Sequence, residues 1–155
     1  MNSQPGSSAL DPIDSAEDWV AKNIRTYLAT DGRKGATMSG APLLLLTTQG
    51  AKSGLWRRCV LIFGERDGDL LIVASTGGAP RHPSWYHNVA ANPVVRVQVG
   101  GDTFEAVART ASSDEKHALW DQMVELFPRY ADYQRKTQRE IPVVVLERRT
   151  DSEAR

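Results

Sequence analysis

The sequence predicts a mainly β chain with helices, an α+β fold whose short antiparallel strands close wholly or partly into a barrel. Three observations carry that expectation. About six short runs read as strands, bounded by Gly, Pro, Asn and Asp. Several of the links between them are too short for a parallel crossover, which takes about a dozen residues. A few amphipathic segments interrupt the β pattern, and helices of that kind can plug the ends of a barrel whose closure removes sheet edges.

Residues 1–12 are polar, with Gly and Ser, and are expected to form a disordered tail. Residues 13–150 are expected to form one domain. Ser15 and Asp18 have the spacing of a capping box. Val20, Ile24, Tyr27 and Leu28 then recur at helical spacing, so a helix is expected over residues 15–30, ending near Gly32. Its apolar stripe suits packing on the domain. Its polar face mixes Glu17 and Asp18 with Lys22 and Arg25, which leaves only weak contact with a membrane surface as an expectation. The strands expected next are Leu43–Thr48, Cys59–Phe63 and Leu70–Ala74, the last two joined by the turn Arg66-Asp67-Gly68-Asp69. Val94–Val99 turns at Gly100-Gly101 into Thr103–Arg109. Ile141–Leu146 is the sixth, with Pro142 near its start, where a missing donor is tolerated. A short helix is expected at Pro83–Ala91. A longer one begins at the capping box Ser112/Glu115, carries Leu119, Met123, Leu126 and Phe127 on one face, and stops at Pro128. Tyr130–Gln138 adds a further turn or helix.

The totals exclude several classes. Lys+Arg and Asp+Glu are both 19, so the basic excess of a nucleic-acid binder is absent and any anion site is a local cluster. The single cysteine, Cys59, allows no intrachain disulfide and no zinc motif, which fits a reducing compartment. The longest apolar run, Ala41–Leu46, is far short of the roughly 20 residues that span a bilayer. No signal-peptide pattern opens the chain. A soluble cytoplasmic protein is expected, with a position at the inner face of the membrane as the variant that the N-terminal helix allows. Oligomeric state is not readable.

Three segments could carry chemistry. Thr48 ends a strand, and Gly50, Lys52, Ser53 and Gly54 form a turn followed by Arg57 and Arg58. Glycines let backbone N–H groups face an anion, and arginine can grip phosphate with two bonds. The same pattern also suits a hairpin turn with solvated cations. The second segment, Ala74-Ser75-Thr76-Gly77-Gly78, leaves a strand and leads to a helix carrying Trp85 and Asn88. Small residues let a flat ring approach the backbone, and a helix start favours an anion. Trp85 could instead anchor the helix in the core. His82 and His87 lack metal-ligand spacing, so no metal is expected. In the third segment Tyr130 and Tyr133 could share a helical face, lining a substrate pocket or capping the barrel. No nucleophile elbow, acid–base carboxylate pair or dinucleotide fingerprint is present, which favours a cofactor that carries its own chemistry.

Together the ordered marks from about Thr37 to Glu147 resemble the deazaflavin (coenzyme F420)-dependent nitroreductase family. They are Leu45-Leu46-Thr47-Thr48, Gly50-x-Lys52-Ser53-Gly54 with Arg57, Ala74-Ser75-x-Gly77-Gly78-Ala79, His82-Pro83-x-Trp85-Tyr86-x-Asn88, Ala91-Asn92-Pro93, Tyr130-x-x-Tyr133 and Ile141-Pro142. The resemblance implies a split β-barrel, FMN-binding-like fold. It also implies coenzyme F420 as hydride donor to an electron-poor small molecule such as an enone, a quinone or a nitroaromatic. By position, Gly50–Arg58 would hold the cofactor's phosphate and acidic tail, and the Ser75–Ala79 loop with Trp85–Asn88 would border the deazaflavin. Ser75 and Tyr130, with Tyr133 beside them, would meet the substrate. Ala51 stands where the family usually has Arg, leaving Arg58 as the candidate replacement, and Trp56 stands where it usually has Pro. An FMN-dependent oxidoreductase on the same barrel and a non-catalytic cofactor carrier remain the alternatives.

Overall fold

The computed structural model describes residues 13–14, 18–33, 36–38 and 40–149. The expected tail over residues 1–12 and the cap at Ser15 lie outside them. The strands are β1 (Ile13–Asp14), β2 (Thr37–Met38), β3 (Ala41–Gln49), β4 (Trp56–Ile62), β5 (Gly64–Arg66), β6 (Asp69–Val73), β7 (Val94–Val99), β8 (Asp102–Thr110) and β9 (Val143–Arg148). The helices are α1 (Asp18–Thr30), α2 (Ser84–Ala91), α3 (Ser113–Leu126) and α4 (Arg129–Lys136). All six expected strands are present, with β1, β2 and β5 added among the described residues. They form one curled sheet in the order β1-β4-β3-β7-β8-β9-β6-β5, with β2 beside β3. Every pairing is antiparallel except that of β1 with β4.

One link differs from expectation. The Asp67-Gly68 turn does not pair Cys59–Phe63 with the next strand. The chain bends at Phe63, so that β4 pairs with β3 while β5 pairs with β6. β4 and β5 lie toward opposite ends of the strand order yet are separated in the chain by Phe63 alone, and this bend curls the sheet round. Phe63 is buried and its N–H donates to Pro42 O. Beside it Gly64 passes so close to α3 that a Cβ there would lie 2.8 Å from Met123 Sδ.

Strand alternation gives the sheet two apolar faces. Leu43 and Leu45 point to one, packing with Ile24 and Tyr27 of α1 and Met123 and Phe127 of the α3 region. Leu44 and Leu46 point to the other, packing with Val95, Val97, Ala106 and Val144 and with Trp85 and Val89 of α2. Truncating such a fully buried leucine to alanine costs about 2–5 kcal/mol. α1 is fastened by Tyr27, whose hydroxyl accepts from Gly100 N–H at 2.6 Å and faces Leu43 O and Gln98 O at 3.2 and 3.3 Å. α3 starts at the predicted capping box: Glu115 N–H donates to Ser112 Oγ, and Ser112 N–H to the Glu115 carboxylate.

Candidate functional site

The β3–β4 turn puts its cations in solvent. Residues 51–55, including Lys52, Ser53 and Gly54, are exposed, as is Arg57. Gly50 is buried: its N–H donates to Leu55 O at 2.7 Å and its carbonyl accepts from Gly54 N–H at 3.0 Å. Gly54 sits at φ +73°, a left-handed angle that suits glycine. Ser53 Oγ accepts from Leu55 N–H at 3.1 Å, inside the turn.

Asn88 ties this turn to α2. Its Oδ1 accepts from Ala51 N–H at 3.0 Å, and its Nδ2 donates to Thr48 Oγ1 at 3.0 Å. Thr48 and Asn88 are both buried, so their side chains serve each other. Trp85 is also buried and belongs to the core beneath α2.

Arg57 and Arg58 do not act as a pair. Neighbours on a strand project to opposite faces. Arg57 lies opposite Thr48, on the Asn88 side. Arg58 lies opposite Thr47 and lines an open groove with Arg96, Gln98, Thr103 and Glu105 on the other side. Trp56 belongs to that second face too, its ring 4.3 Å beneath the Arg96 guanidinium. Trp56 therefore has a cation–π partner, and Arg58 projects to the opposite face from Arg57.

The Ala74–Ala79 loop is built quite differently. Ala74 is fully buried, Ser75 half-buried, and Thr76 and Gly77 exposed. Three successive residues take positive φ: Thr76 at 47°, Gly77 at 61° and Gly78 at 85°. Gly78 lies against α4, where a Cβ would sit 2.8 Å from Tyr133 O. This contact brings the loop together with the helix that carries Tyr130 and Tyr133. Tyr130 is buried at 5% exposure among Trp120, Phe127 and Tyr133, while Tyr133 is half-buried. Burial, and then the neighbouring Tyr133, push the Tyr130 phenol well above its usual range, so the resting side chain carries its proton and can donate a hydrogen bond.

One residue that the sequence reading did not single out joins this region, with His82 beside it. Arg139, between α4 and β9, reaches three carbonyls of the loop and His82 Nδ1. No local spacing could have revealed a contact across some sixty residues.

The donor set suits an anionic, flat-ringed cofactor. Exposed Lys52 and Arg57 can meet phosphate and carboxylates. Small residues with open space at Gly77 can lie along a ring, because a Cβ there would touch nothing within 4 Å. Comparison with known proteins agrees. Residues 19–148 match the F420H(2)-dependent quinone reductase family, and the chain belongs to it. An F420H(2)-dependent quinone reductase of Mycobacterium tuberculosis is 48% identical over 128 residues, covering 79% of this chain and 85% of that protein. A solved F420-H2 dependent reductase is 48% identical, with a TM-score of 0.64 over 68% of this chain and 94% of its own. A structure described as a domain-swapped dimer is 42% identical, with a TM-score of 0.66 over 86% of this chain and all of its own. The fold is thus the expected split β-barrel type. The protein is an F420H2-dependent reductase, with coenzyme F420 as its cofactor.

Proposed function

We propose that the protein reduces a quinone, or a similarly electron-poor small molecule such as an enone or nitroaromatic, by holding that acceptor where the reduced cofactor can give it a hydride. The observation that carries this reading is the packing of Gly78 on α4, which sets the small-residue loop against the helix that carries both tyrosines. The bound cofactor supplies the hydride. Lys52 and Arg57 bind its phosphate and tail carboxylates from the exposed turn. The Ala74–Gly78 loop and α2 border the ring, with Asn88 and Thr48 fixing how α2 meets the turn. Ser75 and Tyr130 orient the acceptor, and their hydroxyls hydrogen-bond its oxygen as negative charge develops there. The apolar wall of Trp120, Phe127 and Tyr133 around Tyr130 excludes water. A proton from tyrosine or water then completes the reduced acceptor. The same reading places the protein in the cytoplasm, acting on small molecules rather than on nucleic acid.

The test is parallel titration with coenzyme F420, FMN and NADPH, followed by steady-state oxidation of the reduced deazaflavin with a quinone. The expected affinity for the deazaflavin is micromolar or tighter, about 8 kcal/mol, with turnover on the quinone. Micromolar FMN binding without deazaflavin binding would overturn the reading. Binding without turnover on any acceptor would make the protein a carrier. Sedimentation with anionic vesicles checks whether the N-terminal helix adds a membrane contact.

A further inference from the structure

We infer that Arg139 is the positioning residue that holds the Ser75–Gly78 loop in the shape that receives the deazaflavin ring. The inference rests on the reading that this loop borders the ring. Its guanidinium donates from Nη2 to Ser75 O at 2.7 Å, from Nε to Ala79 O at 2.8 Å and from Nη1 to Ala74 O at 3.2 Å. Nη1 also faces His82 Nδ1 at 2.9 Å. One planar fork therefore grips the loop on both sides of its positive-φ residues.

Those residues need such a grip. Thr76 is β-branched and sits at φ 47°, a conformation that costs energy and persists only where its surroundings hold it. The local bonds are two tight-turn contacts, Gly78 N–H to Ser75 O and Ala79 N–H to Thr76 O. The long-range restraints are the packing of Gly78 on α4 and the Arg139 fork. The fork also turns the Ala74, Ser75 and Ala79 carbonyls toward itself.

Arg139 is held in its turn. Its carbonyl accepts from Gln134 Nε2 at 2.8 Å, and Gln134 Oε1 accepts from Ile141 N–H at 3.0 Å. Gln134 lies on α4, one residue beyond Tyr133. The tyrosine helix, the fork and the loop thus form one connected unit. No carboxylate pairs with Arg139 among the described residues, so its role is not that of a surface ion pair. Lysine could supply the charge but not several divergent donors in one plane.

The test compares wild type with Arg139→Lys and Arg139→Ala. Amide exchange is followed at residues 75–79 and in β7 without cofactor, and deazaflavin affinity is measured by fluorescence. Arg139→Lys is expected to raise exchange at residues 75–79 at least tenfold while β7 stays protected, and to weaken cofactor binding at least tenfold. Millimolar guanidinium should restore part of the affinity in Arg139→Ala. Adding Thr76→Gly, which removes the strained residue, should shrink the effect of Arg139→Lys on exchange. Wild-type exchange at residues 75–79 in Arg139→Lys overturns the inference. Raised exchange with wild-type affinity overturns it differently: the fork holds the loop, but the loop does not receive the ring. Should wild type itself fail to bind the deazaflavin, the functional reading falls, and the exchange data alone decide whether Arg139 holds the loop.

Discussion

The β3–β4 turn and the Ala74–Ala79 loop are both glycine-containing connections, and they are secured in opposite ways. The turn closes on itself: four of its bonds join residues within Gln49–Leu55, and one, from Ala51 N–H to Asn88, reaches further. Its side chains are left to solvent. The loop is secured from afar, by Arg139 and by contact with α4. An exposed, charged turn suits a flexible anionic tail, where reach and charge matter more than placement. A clamped loop suits a ring whose reacting atom must be positioned within a fraction of an ångström.

Glycine substitutions break this comparison most sharply. Gly78→Ala adds left-handed strain of about 1–2 kcal/mol and a clash with α4 worth about 1–3 kcal/mol. Gly54→Ala, at φ +73° but with nothing within 4 Å of its Cβ, should show only the strain. At about 2–4 °C per kcal/mol for a chain of this size, thermal melts will separate the two. Equal losses would mean that the loop is no better packed than the turn.

The cations of the turn should act on binding alone. Lys52→Ala is expected to weaken deazaflavin binding by about 1–3 kcal/mol, the range for a charge-assisted hydrogen bond, with little change in melting temperature. Arg57→Ala should behave alike, and added salt should weaken wild-type binding through the same exposed charges. Arg58→Ala should have the smaller effect on affinity, because its side chain faces the other groove. Unchanged affinity in both Lys52→Ala and Arg57→Ala would put the tail elsewhere.

Tyr130 tests the clamped side. Tyr130→Phe keeps the ring and removes the hydroxyl. If that hydroxyl meets the acceptor, kcat/KM for a quinone should fall about tenfold, roughly 1.4 kcal/mol, with cofactor affinity near wild type. Ser75→Ala should show the same pattern more weakly. If Tyr130 only packs among Trp120, Phe127 and Tyr133, its variant will lose melting temperature and keep its kinetics.

The two regions also differ in how readable they were. The turn announces itself locally, since glycines, lysine and arginines lie within a few residues of one another. The six main strands and the β7–β8 hairpin were readable from turns and alternation. The bend at Phe63 was not, because it depends on Gly64 passing Met123 at a distance that no local pattern encodes. The opposite facing of Arg57 and Arg58 follows from period two once β4 is placed at Trp56–Ile62, earlier than the run Cys59–Phe63 suggested. The loop's small residues were visible, but the fork that shapes them comes from a single arginine far along the chain.

The smallest expected effect is one of pH, and it separates loop from turn without touching either charge cluster. His82 Nδ1 faces the Arg139 guanidinium, and its ring lies near those of Tyr86 and His87. Accepting from Arg139 requires an unprotonated Nδ1, hence a neutral ring with its proton on Nε2. Burial first, then the charges of Arg139 and His87, lower its pKa from the ordinary 6.5. As pH falls through that value the unfolded chain takes up the proton before the folded one does. Stability contributed by neutral His82 should therefore decline below about pH 6.5 and level off once the folded protein's own lowered pKa is passed. His82→Asn keeps a short acceptor that does not titrate, and should remove this part of the slope in urea melts across the interval. Amide exchange, corrected for its intrinsic pH dependence, should quicken at residues 75–79 in acid and stay level at residues 51–54. Equal quickening in both segments would mean that acid loosens the barrel as a whole, and the protonation of His82 would then say nothing particular about the loop.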